Sequence, residues 1–303
     1  MTTTAYHPFR SAEAQAEYLA QYEAAAQAWP IPSECQMVDT LYGQTFVRIS
    51  GPVDAPPLVL LPGAGTCSLM WSLNVEALST NHRTYAVDGL INTGCVGRSV
   101  YTRAITGPND ANTWLDALFD GLGLMAKVNL VGPSYGGWLA SQYALHAPER
   151  LNKVVLVAPA GTLLPFSGEY LQRTMALYLT PSRDTYVNVF KWNFSDLARQ
   201  NETLLEALVD DFLLSARCFE SPNPQALPVL TALSDAELQR FSVPTLVLIG
   251  ENEVLYSAQA ALQRLQAVAP QIRTELIPNA GHDLLLVQTE LVNQKLLAFL
   301  AAD

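Results

Sequence analysis

The chain has 303 residues, of which half are hydrophobic and 15% are charged, and its net charge at pH 7 is −11. This composition predicts a large buried core and argues against a disordered chain. The length fits one α/β domain that carries an insertion. The acidic balance leaves no basic face to neutralise phosphates, so we expect no nucleic-acid partner and no docking to anionic membranes.

Targeting signals and cysteine spacing indicate the compartment. The N-terminal stretch MTTTAYHPFRSAEAQAEY has no basic segment followed by an apolar run, so we expect no secretory signal. The longest uncharged stretches contain Gly, Pro, Ser or Gln, and we therefore expect no membrane insertion. The scattered cysteines form no C-x-x-C pair, which predicts reduced thiols in a cytoplasmic protein. They are Cys35, Cys67, Cys95 and Cys218.

In chain order, the first predicted element is a helical arm over residues 1–34, rich in Ala, Gln and Glu. Short apolar segments then alternate with helix-length stretches, which predicts an α/β fold with a mostly parallel sheet covered on both faces. The predicted strands are QTFVRIS, PLVLL, RTYAVD, KVNLVG, KVVLVA, PTLVLIG and RTELIP. The helices between them include NDANTWLDALFDGLG, YGGWLASQYALHAPER and SAQAALQRLQAVAP.

One interval, residues 160–233, interrupts this alternation, because its apolar and aromatic residues recur at helical spacing. It divides the core domain into residues 35–159 and 234–303. One interpretation is an insertion that packs its own core onto the sheet domain. The other is a helical cap, or lid, whose underside forms a substrate pocket. The two interpretations are compatible.

A lone serine follows the strand KVNLV in the stretch Gly132-Pro133-Ser134-Tyr135-Gly136, and a helical pattern begins directly after it. This is a G-x-S-x-G motif between a strand and a helix, the context in which a serine is exposed on a sharp turn. Glycines on either side remove bulk that would clash in such a turn. The alternative is a tight turn with a capping serine, but the flanking pattern favours Ser134 as a nucleophile.

A serine nucleophile needs a base within hydrogen-bond reach, and the chain has four histidines. His7 lies in the N-terminal arm, and His82 lies in a turn where a surface position is expected. His146 ends the helix after Ser134 and is expected to face away from the turn. His282 follows a strand in the Gly-containing loop IPNAGHD, at the sheet edge where open α/β sheets gather their chemistry. Position and elimination therefore favour His282.

The base in turn needs a carboxylate that fixes its tautomer. The strand PTLVLIG runs into a loop with two candidates, Glu251 and Glu253. Both glutamates fit solvated loop positions, the usual place for this residue type. The loop nevertheless follows the strand before that of His282, and the apolar stretch after Glu253 can bury it. Glu253 is therefore favoured, with Glu251 second.

Two backbone N–H groups are expected to receive the negative charge of a tetrahedral intermediate. One is the N–H of Tyr135, directly after the nucleophile. The other is assigned to Ala64, in the loop Pro62-Gly63-Ala64 after the buried strand PLVLL. Small residues such as Gly63 let the backbone approach a substrate, and we place Gly63 in the substrate pocket.

These features together resemble the α/β-hydrolase superfamily, and within it the bacterial carboxylesterase NP (naproxen esterase) group. The resemblance rests on the order Ser…Glu…His, on the GPSYGG turn and on segments such as HAPER, GENEVLYS and NAGHDLL, over nearly the whole chain. It implies an α/β-hydrolase fold with about eight mostly parallel strands and a helical cap. The family uses a glutamate as its acid, which corresponds to Glu253. Two departures are Pro62, where the family has a histidine, and the loop DGLINTGCVGRS after Asp88.

The resemblance implies a serine carboxylesterase that works through an acyl-enzyme. The Leu, Phe, Tyr and Trp residues of the cap indicate a pocket for small apolar acyl or aryl esters. Trp138, just inside the helix after Ser134, is expected either to line the substrate pocket or to belong to the core. The alternatives are cleavage of an amide, lactone, thioester or carbon–carbon bond, or a non-catalytic protein that binds a small ligand. No histidine cluster or phosphate loop is present, so we expect no metal and no cofactor.

Overall fold

A computed structural model describes residues 9–89, 96–220 and 230–302 of the chain. Its fold is built on a central sheet. Within these residues the sheet has nine strands, eight of them in the order β1-β2-β4-β3-β6-β7-β8-β9, and β5 pairs with β2. The pairs from β4 to β9 are parallel, whereas β2 runs antiparallel to β1, β4 and β5. The strands are β1 (Glu34–Thr40), β2 (Gly43–Ser50), β3 (Pro57–Leu60), β4 (Arg83–Val87), β5 (Val100–Tyr101), β6 (Val128–Pro133), β7 (Leu151–Val157), β8 (Thr245–Gly250) and β9 (Arg273–Ile277).

Helices connect the strands, and four of them form an insert between β7 and β8. None of the described helices is long and apolar enough to cross a membrane. The helices are α1 (Ala12–Ala26), α2 (Val75–Ser79), α3 (Pro108–Gly121), α4 (Tyr135–His146), α5 (Gly168–Leu179), α6 (Arg183–Asn193), α7 (Ser195–Gln200), α8 (Glu202–Cys218), α9 (Asp235–Gln239), α10 (Ala258–Val268), α11 (Leu284–Val287) and α12 (Thr289–Ala301). We call α5 to α8 the helical insert.

The parallel strands are buried on both faces, which is why their sequences are apolar without alternation. Along β6, Leu130 belongs to the core on one side of the sheet and Val131 to the core on the other. Leu156 and Val155 of β7 divide in the same way. The helical insert has a small core of its own that includes Phe190, Leu197, Leu205 and Val209.

The seven strands expected from the sequence are all present, and the α/β-hydrolase architecture is confirmed. Strands β1 and β5 were not among the expected ones. Of the seven residues in β1 only Val38 is buried, so this edge strand lacks an apolar signal. The helical insert lies in the interval expected to be helical, of which residues 221–229 fall outside the described residues. The exact domain limits stay a prediction.

The N-terminal helix α1 belongs to the core, because Tyr18 and Tyr22 are buried and the Tyr22 hydroxyl donates to Asp88 Oδ1 at 3.3 Å. His7 of the same arm lies outside the described residues. The expectation that His82 is a surface residue is wrong, since this residue is only 6% exposed. Its turn folds back on α2, where Nδ1 lies 3.3 Å from the Leu78 carbonyl oxygen. Burial lowers the pKa of the imidazole.

Cys67, in the loop after β3, is half-buried. Cys95 belongs to residues 90–95, outside the described residues, together with much of the loop DGLINTGCVGRS.

Candidate active site

Ser134 lies on the sharp turn between β6 and α4, with φ 50° and ψ −116°. Such a positive φ is costly for a residue with a side chain, and strain of this kind concentrates at functional sites. The turn is held by the Ser134 N–H, which donates to the Val157 carbonyl oxygen at 2.8 Å. A Cβ at Gly132 would lie 2.1 Å from the Gly136 oxygen, and one at Gly136 would lie 2.6 Å from the Pro62 oxygen. The flanking glycines are therefore required by close backbone contacts.

Three side chains, distant in sequence, form a hydrogen-bonded chain. His282 Nε2 lies 2.9 Å from Ser134 Oγ, and His282 Nδ1 lies 2.8 Å from Glu253 Oε2. The histidine follows β9 and the glutamate follows β8, so neighbouring parallel strands deliver both to one edge of the sheet. The side chain of His282 is 9% exposed and that of Glu253 is fully buried. The structure thus brings together the three residues singled out in the sequence.

The two candidate glutamates have different surroundings. Glu253 Oε1 accepts hydrogen bonds from the N–H groups of Val254 at 2.8 Å and Leu255 at 2.9 Å, which leaves Oε2 for the histidine. Glu251 is exposed, and its Oε2 accepts from the Asn279 N–H at 3.2 Å. The two backbone donors fix the plane of the Glu253 carboxylate. Glu251 is engaged elsewhere and does not contact the imidazole.

The environment of His282 favours a proton on its ring. Burial alone disfavours the imidazolium, but the charge and hydrogen bond of Glu253 outweigh it and raise the pKa of His282 above its ordinary value. The nearby Asp283 acts in the same direction. A neutral imidazole whose affinity for a proton has been increased in this way is a stronger base toward the Ser134 hydroxyl.

The expected oxyanion donors lie next to the serine. Tyr135 is the first residue of α4, so its N–H has no partner within the helix and lies at the positive end of the helix dipole. The loop after β3 approaches from the other side: a Cβ built on Gly63 would lie 3.8 Å from Ser134 Cβ. Ala64 follows in the same loop and is exposed. Trp138 is 1% exposed and stacks on Tyr135, which favours the core rather than the substrate pocket.

Two phenylalanines of the helical insert lie over this site. The Phe194 ring is near-parallel to the His282 imidazole, with ring centroids 6.3 Å apart and planes at 28°. The Phe212 ring packs against Gly65, where an added Cβ would lie 2.3 Å from the ring. The sequence showed only that the insert is rich in aromatic residues, because helical spacing does not reveal which ones reach another domain.

The helical insert is fastened to both loops that carry the candidate acid and base. Asp283 Oδ2 accepts from the Leu197 N–H at 2.7 Å, and its Oδ1 accepts from the Gly281 N–H at 2.9 Å. On the other loop, Asn252 Nδ2 donates to the two carboxylate oxygens of Asp196 at 3.1 and 3.2 Å. Burial raises the pKa of Asp283. Sequence analysis missed these residues, since no motif marks a contact between an insertion and a loop.

No group of three or more His, Cys, Asp or Glu side chains suited to a metal ion occurs within the three described segments. The absence of a metal or cofactor stays a prediction.

The pattern of the alpha/beta hydrolase family matches residues 58–294. Among known relatives, the "uncharacterized carboxylesterase nap" of Bacillus subtilis (strain 168) is 35% identical over 289 residues, covering 94% of this chain and 93% of the relative. Carboxylesterase YbfK of the same organism is 33% identical over 294 residues, covering 96% of each chain.

Solved structures show the same similarity. The crystal structure of naproxen esterase (carboxylesterase NP) from Bacillus subtilis has a TM-score of 0.86 at 32% identity, covering 96% of this chain and 99% of that one. Carboxylesterase CesB (YbfK) from the same organism has a TM-score of 0.85 at 31% identity, covering 95% of this chain and 99% of that one. The chain belongs to the alpha/beta hydrolase family, and the resemblance seen in the sequence is confirmed.

The contact between Asp283 and the helical insert can be tested by Asp283→Ala. This change leaves the N–H groups of Leu197 and Gly281 without their acceptor. A buried donor without a partner costs about 1–3 kcal/mol, so the loss at two donors should lower the free energy of unfolding by about 2–6 kcal/mol in urea denaturation. The control is Asp54→Ala in an exposed turn, which should change the stability by less than about 0.5 kcal/mol. If the Asp283→Ala variant were as stable as the control, the contact between Asp283 and the helical insert would not stabilise the fold.

Proposed function

We propose that this protein is a serine carboxylesterase in which Ser134 is the nucleophile, His282 the general base and Glu253 the residue that orients the base. The observation that carries this proposal is the continuous chain of hydrogen bonds from Ser134 Oγ through His282 to Glu253, at 2.9 and 2.8 Å. Two relatives of nearly full length are named carboxylesterases, which supports a hydrolase acting on esters. The substrate is accordingly a small-molecule ester.

Acylation begins when the Ser134 oxygen attacks the ester carbonyl carbon and its proton passes to His282 Nε2. The carbonyl oxygen becomes an oxyanion, which accepts hydrogen bonds from the N–H groups of Tyr135 and Ala64. Glu253 holds Nδ1–H and stabilises the imidazolium through its charge. When the tetrahedral intermediate collapses, His282 returns the proton to the leaving alkoxide. An alcohol departs and the acyl group stays on Ser134.

Deacylation repeats these steps with water. His282 takes a proton from a water molecule as the water oxygen attacks the acyl carbon, and the second oxyanion is held by the same two amides. Collapse of this intermediate breaks the bond to Ser134 Oγ, which regains its proton from His282. The carboxylic acid leaves and the enzyme returns to its starting state.

The substrate class follows from the aromatic side chains over the site. Phe194 lies above the His282 ring and Phe212 packs against Gly65 in the loop of the expected oxyanion donor. Aromatic side chains gain free energy by burying apolar area and by stacking on rings. We therefore assign to this site esters with a small apolar acyl group or an aryl group, with Gly63 providing room beside the serine.

We also propose that the protein is located in the cytoplasm. Cys35 and Cys218 are present as thiols rather than as a disulfide. Thiols persist in reducing compartments, whereas oxidising ones favour disulfides.

The nucleophile and the base are tested by Ser134→Ala and His282→Ala with p-nitrophenyl acetate, butyrate and octanoate. Each variant loses a group that reacts or transfers the proton, so we expect kcat/KM to fall by at least about 10⁴-fold, to near the background. The wild type, but not Ser134→Ala, should be labelled by a fluorophosphonate. His146→Ala is the matched control, because His146 pairs with Asp116 on the surface and should keep full activity. Turnover by Ser134→Ala equal to that of the wild type would exclude the proposed nucleophile.

The acid is tested by comparing Glu253→Gln with Glu251→Gln. Glutamine at 253 favours the wrong tautomer of His282, so we expect kcat to fall by about 10³- to 10⁴-fold. The exposed Glu251→Gln variant should stay near the wild type. If Glu251→Gln proved the inactive variant, the acid would be misassigned.

The pairing of His282 with Glu253 predicts a characteristic pH dependence of activity. His282 acts as a base only when it is neutral, and its pKa is raised, so kcat/KM of the wild type should fall as the pH drops through a midpoint above 6.5. In Glu253→Gln the charge of Glu253 and its charge-assisted hydrogen bond are removed, while burial and the influence of Asp283 remain, so the midpoint of the residual activity should move to lower pH. A midpoint that does not move would show that Glu253 does not control the base.

The pocket is tested by Phe212→Ala. Removal of the ring opens space beside Gly65, so we expect the ratio of kcat/KM for p-nitrophenyl octanoate to that for the acetate to rise by about fivefold. The control is Leu171→Ala on the outer face of the helical insert, where the leucine is 51% exposed and the ratio should be unchanged. A ratio that is unaffected by Phe212→Ala would place the acyl group elsewhere.

A further inference from the structure

The loop that carries the expected oxyanion donor is held by two side chains outside the Ser134–His282–Glu253 chain. Met70 lies on a 3₁₀ helix, Ser68–Trp71, a few residues after this loop. Its Sδ accepts a hydrogen bond from the Gly63 N–H at 3.2 Å and lies 3.1 Å from Thr66 Oγ1. Thr66 Oγ1 in turn donates to the Gly63 carbonyl oxygen at 2.9 Å. The single hydroxyl proton of Thr66 serves one of its two acceptors at a time.

The contacts of Thr66 fix the Gly63–Ala64 peptide plane, whereas the contact of Met70 with the Gly63 N–H fixes the preceding plane, Pro62–Gly63. In a trans peptide the C=O of one residue and the N–H of the next point in opposite directions. The Gly63 carbonyl and the Ala64 N–H belong to the same plane, so a hydrogen bond from Thr66 to that carbonyl also sets the direction of the Ala64 N–H. The Thr66 N–H strengthens this with a contact to the same carbonyl oxygen at 3.4 Å.

Met70 also separates the roles of two neighbouring amides. Because the Gly63 N–H donates to the Met70 sulfur, it is not available to an oxyanion. The Ala64 N–H is the next donor along the loop. Gly63 itself lies against the serine, since a Cβ built on it would be 3.8 Å from Ser134 Cβ. The Ala64 amide is therefore the candidate donor of this loop.

The 3₁₀ helix provides a rigid base for the sulfur. Ser68 and Trp71, its first and last residues, are fully buried, and the Trp71 indole N–H donates to the Leu61 carbonyl oxygen at 3.2 Å. The helix is thus joined to the start of the same loop. Pro62 has no N–H and no side-chain donor, so it does not contribute hydrogen bonds of this kind.

We propose that Thr66 and Met70 are positioning residues for oxyanion stabilisation: Thr66 orients the Gly63–Ala64 peptide directly, and Met70 does so by holding the preceding Pro62–Gly63 peptide. We call the pair the Gly63 clamp. The inference rests on the proposed function. The clamp acts through the direction of the Ala64 N–H and does not touch the substrate. Its contribution therefore belongs to the transition state, where negative charge develops, and not to substrate binding.

The clamp is tested with Met70→Leu and Thr66→Val, which keep similar volumes but lose the sulfur acceptor and the hydroxyl. Complete loss of one oxyanion donor costs about 10²- to 10³-fold in kcat, so a misdirected donor should cost about tenfold. We expect kcat for p-nitrophenyl butyrate to fall by about tenfold, with KM changed by less than about twofold. Thr66→Ser retains the hydroxyl and should restore nearly full activity.

A second measurement is inhibition by phenylboronic acid. Its boron takes the Ser134 oxygen to form a tetrahedral anion while the hydroxyl proton passes to His282. In Met70→Leu and Thr66→Val the inhibition constant should rise by the same factor by which kcat falls, because the boronate anion accepts hydrogen bonds from the same N–H donors as the oxyanion. Met125→Leu is the matched control, since Met125 is 87% exposed and should leave both quantities unchanged.

The possible outcomes separate the clamp from the proposed function. The clamp is overturned if Met70→Leu and Thr66→Val keep kcat and boronate affinity within about twofold of the wild type while Ser134→Ala is inactive. It is also overturned if Thr66→Ser loses as much as Thr66→Val, or if only KM changes. An active Ser134→Ala variant would instead refute the proposed function itself.

Discussion

The strained turn at Ser134 is the constraint on which the rest of the site depends. A side chain at φ 50° costs roughly 1–3 kcal/mol, which the surrounding structure must offset. The offset comes from β6, buried along its whole length, and from close backbone packing around Gly132 and Gly136. Any bulk at those glycines would push apart the strand, the helix and the loop after β3. The turn therefore sets the shape of three elements at once.

The parallel sheet positions the other residues of the site relative to this turn. Glu253 and His282 come from loops after neighbouring strands, so the register of β8 and β9 determines the separation of their side chains. The serine lies 148 residues before the histidine, yet the two side chains are within hydrogen-bond distance. The backbone N–H groups of Val254 and Leu255 then fix the Glu253 carboxylate, so main-chain geometry determines the position of this side chain.

Much of the fold and the central residues of the site could be predicted from the sequence, because their signals are local. Strands buried on both faces are short apolar runs, and the strained turn needs glycines beside Ser134. Other features depend on contacts between distant segments and leave no local pattern. Neither the burial of His82 nor the bond from Asp283 to the insert follows from neighbouring residues. Strand β1 escaped prediction because it is a polar edge strand.

The hydrogen bond that the Leu197 N–H donates to Asp283 joins the helical insert to the loop of His282. A displacement of α7 away from this loop would break the bond, and Asp283 directly follows the residue proposed as the base. Asp283 also raises the pKa of His282, so such a displacement would change the surroundings of the proposed base. One buried carboxylate therefore links the position of the helical insert to the electrostatic environment of that residue.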